Sequence, residues 1–208
     1  MPHGGAHDRR GQQSGQRDCC LARQPEVAAV AFRAGLSPGF LETTRLLLRP
    51  LTSTHSADLY HVHRDKVVSR LLAGVDEMTR DHSDRLLQAY VEHWALFGFG
   101  FYLVYGKRPQ SVGPCGRCGL RLTPAQEVEL GYCFTAETSG RGLATEAASA
   151  VVKSAFDELR VDRLVAFVRP GNDRSLRVLE KLGAENSGLV QKTQPVFRYV
   201  LTRPVPND

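Results

Sequence analysis

The amino-acid sequence predicts an α/β or α+β domain built on a mixed sheet. From about residue 41 onwards, segments with strand-like and helix-like patterns alternate, and a run of three strand-like segments precedes a long helical one. In that helical segment apolar residues recur every three or four positions, which is the spacing of one buried helical face. These residues are Ala147, Ala148, Val151, Val152, Ala155, Phe156 and Leu159.

The first half of the predicted domain contains a strand, three helices and three further strands. These segments are, in order, 44–51; 58–63, 67–72 and 81–94; and 101–105, 112–122 and 127–134. Pro50 ends the first strand, and a turn at 107–110 separates the second strand from the third. Pro114, Gly116 and Gly119 are expected to interrupt the third strand.

The second half begins with the strand at 127–134, which leads through a glycine-containing turn into the long helix. The apolar run 164–168 then predicts a buried strand. Asn172 is a favourable N-cap for a helix over 175–182, and Gly183 is its expected stop. Two strands follow, at 188–193 and 196–201.

Composition indicates a globular protein and removes several classes. The 208 residues, 42% hydrophobic and 24% charged, suit one domain with a tail. No apolar run is long enough to cross a bilayer and no apolar signal region opens the chain, so we expect a cytoplasmic protein without a membrane partner. The formal net charge is +5, but Lys and Arg do not cluster among aromatic residues, so we expect no direct binding to nucleic acid.

Two further features of composition bear on metals and on the domain boundary. Cys115 and Cys118 have the separation of zinc ligands, but no second pair follows, so we expect reduced thiols and no metal. Residues 1–40 contain a polar stretch that buries too little apolar surface to offset its ordering entropy. Although 26–35 has a weak helical pattern, we expect 1–40 to be a disordered extension and 41–208 to form the domain.

The turn at 138–142 has the features of an anion site. Its glycines let backbone N–H groups approach a ligand, and the following helix contributes the positive end of its dipole. Arg141 adds a charge-assisted donor. We expect this turn to hold the pyrophosphate of a nucleotide-like cofactor.

Three motifs in a fixed order now point to a family. TTRLLLRPL opens the domain, GYCFTAETSGRGLATEA covers the turn, and RPGNDRSLRVLEKLGAE follows one strand later. Together they resemble the GNAT (Gcn5-related) N-acetyltransferases, in particular the branch of the ribosomal-protein Ser/Ala N-acetyltransferases. The resemblance covers residues 41–203. It implies a mostly antiparallel central sheet with a V-shaped splay, flanked by helices, and acetyl-CoA as the acetyl donor.

The resemblance also implies which residues bind acetyl-CoA. In the family's phosphate-binding signature Gly142 and Ala144 match, whereas Ser139 stands where Gln or Arg is usual. The pantetheine would pair with the strand at 132–135, and Asn172 would lie near it. The complete expected set is Tyr132, Cys133, Phe134, Thr135, Ser139, Gly140, Arg141, Gly142, Leu143, Ala144, Thr145 and Asn172.

Acetyl transfer requires a neutral amine, a donor for the oxyanion, and a proton or hydrogen bond for the departing thiolate. In the strand at 127–134, period-two alternation puts Glu129 on one face with Glu127, Gly131 and Cys133, and puts Val128, Leu130, Tyr132 and Phe134 on the core-like other face. Glu129 is the candidate base, with a water chain or a merely solvated Glu129 as alternatives. Many relatives use a Tyr as the acid, but none occurs between Val165 and Asn186, so Ser175 is the candidate here. A capping role for Ser175 is equally open.

Two other functions stay open at this point. A non-catalytic acyl-CoA-binding or interaction module would keep the same turn without turnover. An NAD(P)-binding oxidoreductase is less favoured, because Thr145 replaces the last Gly of a dinucleotide fingerprint and Arg169 stands where a ribose ligand would be acidic. The acceptor is a small-molecule amine or a protein N-terminus, and the protein is a monomer or a homodimer.

Overall fold

The computed structural model describes residues 39–107 and 113–205. The predicted disordered extension, with its weak helix at 26–35, and most of the 107–110 turn lie outside these residues and stay predictions.

The described residues form eight strands and five helices in one alternating sequence. The elements are β1 Leu41–Glu42, β2 Leu46–Pro50, α1 Ser56–His63, α2 Lys66–Ala73, α3 Arg80–Phe97, β3 Phe101–Gly106, β4 Pro114–Leu122, β5 Val128–Phe134, α4 Leu143–Asp157, β6 Arg163–Val168, α5 Asp173–Lys181, β7 Glu185–Gln191 and β8 Pro195–Thr202. Single turns of 3-10 helix precede α1 and follow β5. Each element predicted from residue 41 onwards has a counterpart, displaced by a few residues at its ends.

All the strands belong to one sheet in the order β1-β2-β3-β4-β5-β6-β8-β7. Every neighbouring pair is antiparallel except β5 and β6, which are parallel. The mixed, mostly antiparallel sheet is therefore confirmed. It differs from the parallel sheet that a doubly wound dinucleotide-binding domain requires, so the oxidoreductase alternative has no support in the fold.

The junction of β5 with β6 is unusually short. The two strands share a single pair, Glu129 with Val165, whereas β4 and β5 pair continuously from Gly116–Phe134 to Leu122–Val128. Beyond Glu129, the β6 side of β5 has no ladder partner. This opening agrees with the predicted splay.

The two faces of the sheet carry separate apolar clusters. One face packs α4 against strand residues such as Leu48, Leu130 and Val128. The other packs α1, α2 and α3 against residues such as Leu103 and Cys133. The alternation predicted along β5 is thus confirmed, with even-numbered residues on the α4 side and odd-numbered residues on the other.

The prediction that glycines interrupt β4 is wrong. The strand continues through Gly116 and Gly119, although its register against β3 shifts by one residue between Pro114 and Gly116. The glycines are needed because neighbouring backbone lies close to them. A Cβ atom at Gly119 would lie 2.3 Å from the carbonyl oxygen of Gly100, and one at Gly116 would lie 2.4 Å from the carbonyl oxygen of Cys133. Both are sites of close backbone approach within the sheet.

Candidate functional site

The open end of the β5–β6 gap leads into the glycine turn. Gly140 and Gly142 both have left-handed backbone, with φ of +78° and +76°, which favours glycine. Gly142 is the N-cap of α4, and no described side chain caps that helix end. As at every helix start, the N–H groups of the first turn have no intrahelical acceptor, and here they have no described capping side chain either. They carry the positive end of the helix dipole. This arrangement fits a phosphate group.

The turn is anchored to the start of the domain by Glu146. Its carboxylate accepts hydrogen bonds from Thr43 Oγ1 at 2.6 Å, from Arg45 N at 2.9 Å and from Arg45 Nε at 2.6 Å. Arg45 Nη1 in turn donates to the carbonyl of Arg141 at 2.9 Å. Burial raises the pKa of Glu146, but these hydrogen bonds outweigh burial and leave the pKa below its usual value.

Ser139, which departs from the family signature, is turned back onto its own chain. Its hydroxyl donates to the carbonyl of Thr135 at 2.9 Å. Thr138 also donates to the carbonyl of Cys115, at 3.0 Å. The side chains before the glycines thus stabilise the turn, and a phosphate there would be bound chiefly by backbone.

Across the gap, the structure brings together three of the predicted residues. Tyr132 of β5 contacts Ser175 of α5, with its hydroxyl 2.9 Å from Ser175 Oγ and 3.1 Å from the Ser175 carbonyl oxygen. Burial raises the pKa of Tyr132 to about 12. The side chain of Asn172 accepts a hydrogen bond from Ser175 N at 3.2 Å, so Asn172 is the N-cap that the sequence predicts.

Glu129 lies at the one paired position of the gap, on the opposite face of β5 from Tyr132. Only 8% of the residue is exposed. Its carboxylate accepts hydrogen bonds from Arg121 at 2.8 to 3.1 Å, and Lys192 Nζ lies 4.0 Å away. The structure therefore places the candidate base in an ion pair that the sequence did not indicate, and it does not place it beside Ser175.

The three cysteines within the described ranges lie in the core. Cys115, Cys118 and Cys133 are buried free thiols, and burial raises the pKa of each, that of Cys115 to about 11. A protonated buried thiol is a poor nucleophile. Among the described residues, no group of three or more His, Cys, Asp or Glu side chains could hold a metal ion. No described helix is long and apolar enough to cross a membrane.

Two buried polar side chains, Arg117 and His63, lie on the face of the sheet covered by α1, α2 and α3. Neither was identified from the sequence. Arg117 of β4 is 6% exposed, and its guanidinium carbon lies 4.3 Å from the centroid of the Phe101 ring and 5.1 Å from that of Tyr90. His63 of α1 is fully buried, with Nδ1 2.9 Å from Ser83 Oγ. Burial, with Arg117 and His82, lowers the pKa of His63 to about 3.

Comparisons with known proteins assign this arrangement to a family. The family model described as an acetyltransferase (GNAT) domain matches residues 45–185. YkkB of Bacillus subtilis is 31% identical over 105 residues, which are 50% of this chain and 61% of YkkB. Four curated relatives are matched over only 37% to 61% of their own lengths.

Solved structures have the same fold. An acetyltransferase from Agrobacterium tumefaciens strain C58 has a TM-score of 0.67 and 25% identity over 80% of this chain and 95% of its own. RimL, a ribosomal L7/L12 α-N-protein acetyltransferase solved with coenzyme A, has a TM-score of 0.68 and 16% identity over 79% of this chain and 98% of its own. Because the family model covers more than half of the sequence, the chain belongs to the GNAT acetyltransferase family.

Proposed function

We propose that this protein transfers an acetyl group from acetyl-CoA to a primary amine, by direct attack within a ternary complex. The observation that carries the proposal is the β5–β6 gap, which opens directly onto a left-handed glycine turn at an uncapped helix end. An extended ligand that ends in a pyrophosphate suits this combination, since a strand edge and an anion site lie in line.

The residues that would hold acetyl-CoA belong to two groups. The turn and first helical turn, 139–145, supply backbone N–H groups to the pyrophosphate. The free edge of β5 over 132–135 pairs with the pantetheine, and Asn172 lies on the facing helix. Bound acetyl-CoA supplies an activated thioester. Isothermal titration with acetyl-CoA tests this part, and absence of binding to the folded protein would refute it.

Ser175 is the proposed proton donor to the departing sulfur. Two contacts support this role over a purely capping one. Asn172 already provides the side-chain cap of α5, and the Ser175 hydroxyl is hydrogen-bonded to Tyr132 instead. Ser175→Ala is expected to lower kcat by about 10²-fold, as for loss of a general acid, with little change in acetyl-CoA affinity. Ser187→Ala, on β7, is the control.

Glu129 is the proposed base, acting on the amine directly or through water. It is largely buried at the edge of the gap, and Arg121 fixes the orientation of its carboxylate. Glu127 makes a good control because it lies two residues from Glu129, just before β5, and pairs with Arg198 at 2.5 Å. Glu129→Gln should reduce kcat/KM most strongly at low pH, where fewer acceptor amines are neutral, while Glu127→Gln should not. Equal effects of the two substitutions would remove Glu129 from the mechanism.

The acceptor and setting are proposed from the resemblance. A protein or peptide α-amine is favoured, with small-molecule amines as the alternative, in a cytoplasmic monomer or homodimer. Thiol release should be measured across panels of peptides and small amines. Tight acetyl-CoA binding without transfer to either panel would instead support the acyl-CoA-binding module.

A further inference from the structure

Buried polar atoms without a hydrogen-bond partner are few in the described part of the chain. They are His63 Nε2, Ser69 Oγ, Arg117 Nε and Arg117 Nη1. All three residues belong to the side of the sheet covered by α1, α2 and α3. A buried guanidinium with two nitrogens that lack acceptors is costly, so the Arg117 site is the one that most requires an occupant.

Aromatic rings cover the faces of the Arg117 guanidinium, but they leave N–H donors at its edge without acceptors. The rings of Phe101 and Tyr90 lie over the cation, and cation–π contacts of this kind offset part of the desolvation cost. The N–H donors of a guanidinium, however, point outward in its plane. Aromatic rings stacked on the faces cannot accept those in-plane hydrogen bonds.

No carboxylate among the described residues forms an ion pair with Arg117. Glu129 is held by Arg121. Asp65 accepts from Val67 N and Val68 N through one oxygen and from Ala136 N through the other. Both acids are thus engaged elsewhere, and no carboxylate in the described part of the chain pairs directly with Arg117.

His63 supplies a further donor close to the same charge. Its Nδ1 bonds to the Ser83 hydroxyl, and its Nε2 has no partner. The imidazole is neutral at physiological pH, in part because Arg117 is near enough to lower its pKa. When Ser83 donates to Nδ1, the proton of the ring lies on Nε2, which is then an N–H donor.

We propose that Arg117 and His63 form an anion subsite for a carboxylate carried by the amine acceptor. The inference rests on the proposed function, and the register of the sheet connects the two. Arg117 lies opposite Cys133, on the same face of the sheet as Glu129. Between positions 129 and 133 is Gly131, over which the Phe101 ring packs, since a Cβ there would lie 3.0 Å from Phe101 Cζ. The strand spacing separates positions 129 and 133 by about 13 Å. The acceptor is therefore an amine with a carboxylate at a distance, in a free amino acid that carries a side-chain amine or in a peptide with an acidic residue near its N-terminus.

The decisive test compares matched acceptors in thiol-release assays. One arm uses free amino acids with a side-chain amine and their carboxamides, and the other uses N-terminal peptides that differ only by Glu or Gln at the second residue. In one of the two arms, the carboxylate acceptor should have a kcat/KM about tenfold or more above that of the matched amide acceptor. The reason is that the amide cannot make the charge-assisted hydrogen bond. Arg117→Met should abolish that preference, and Arg163→Met, on the exposed end of β6, should keep it. Equal rates for carboxylate and amide acceptors in both arms would overturn the proposal.

A measurement on the folded protein separates this proposal from the function on which it rests. The Nε–H signal of Arg117 in a ¹⁵N-correlation spectrum is assigned by its loss in Arg117→Lys or Arg117→Met. Glycine and acetate should shift this signal saturably, whereas glycinamide and acetamide should not. No carboxylate-specific shift, in a protein that still binds acetyl-CoA, would mean that Arg117 is solvated by internal water only. A carboxylate-specific shift without any acetyl transfer would refute the proposed function and retain the anion subsite.

Discussion

Acidification should destabilise this protein through His63, and the size of the effect follows from its burial. The folded-state pKa of His63 is about 3, below the usual value of 6.5. Between these two values the unfolded chain binds a proton that the folded protein does not, so the free energy of unfolding rises with pH. His63 therefore contributes fully above pH 6.5, and its contribution is lost as the pH falls towards the folded-state pKa. Linkage gives a loss of about 2 kcal/mol between pH 7 and pH 5.

The assay is urea denaturation of the wild type and of His63→Gln at pH 7, 6 and 5. Other groups titrate in this range, so the informative quantity is the difference between the two proteins. The wild type should lose about 2 kcal/mol more than the variant on going from pH 7 to pH 5, because Gln does not titrate. A variant with the same pH dependence as the wild type would refute the assignment of a buried neutral imidazole beside Arg117.

Three further substitutions test the turn and the packing of the sheet. Gly142→Glu should abolish acetyl-CoA binding in isothermal titration, because a carboxylate then stands where phosphate is expected; Gly183→Glu, at the same φ of +76°, should preserve it. Gly119→Ala should cost about 1–3 kcal/mol in urea denaturation, because its Cβ would meet Gly100 backbone, while Gly39→Ala, whose added Cβ would have no described atom within 4 Å, should be nearly neutral. Glu146→Gln should lower the free energy of unfolding by about 1–2 kcal/mol and weaken acetyl-CoA binding; unchanged values would mean that Arg45 does not anchor the turn.

The sequence predicted features that depend on local periodicity. The alternation along β5 placed Leu130 and Cys133 on opposite faces, and the helical spacing of α4 identified its buried residues. Asn172 as a cap and Gly183 as a stop were also accessible, since each acts on its own helix. These assignments succeed because neighbouring residues determine them.

Features made by distant segments could not be predicted in the same way. The contact of Tyr132 with Ser175 joins residues 43 apart in the chain, across a gap whose geometry the sequence does not specify. Arg117 in a strand suggests a solvent-facing residue, and only the helices folded over it reveal that it is buried. Gly119 suggested a break in β4 because the close approach of Gly100 comes from another strand.

Because β5 and β6 share a single residue pair, the sheet consists of two separately hydrogen-bonded parts. One part is β1 to β5, and the other is β6, β8 and β7. Backbone hydrogen bonds hold the strands together within each part but contribute almost nothing between the two parts. The packing of α4 and its neighbours therefore provides most of the contact that joins them. A molecule bound in the β5–β6 gap would add backbone hydrogen bonds along the free edge of β5. Ligand binding in the β5–β6 gap should therefore also make the whole sheet more rigid. Slower amide hydrogen exchange over 131–134 would report both the binding and the increased rigidity.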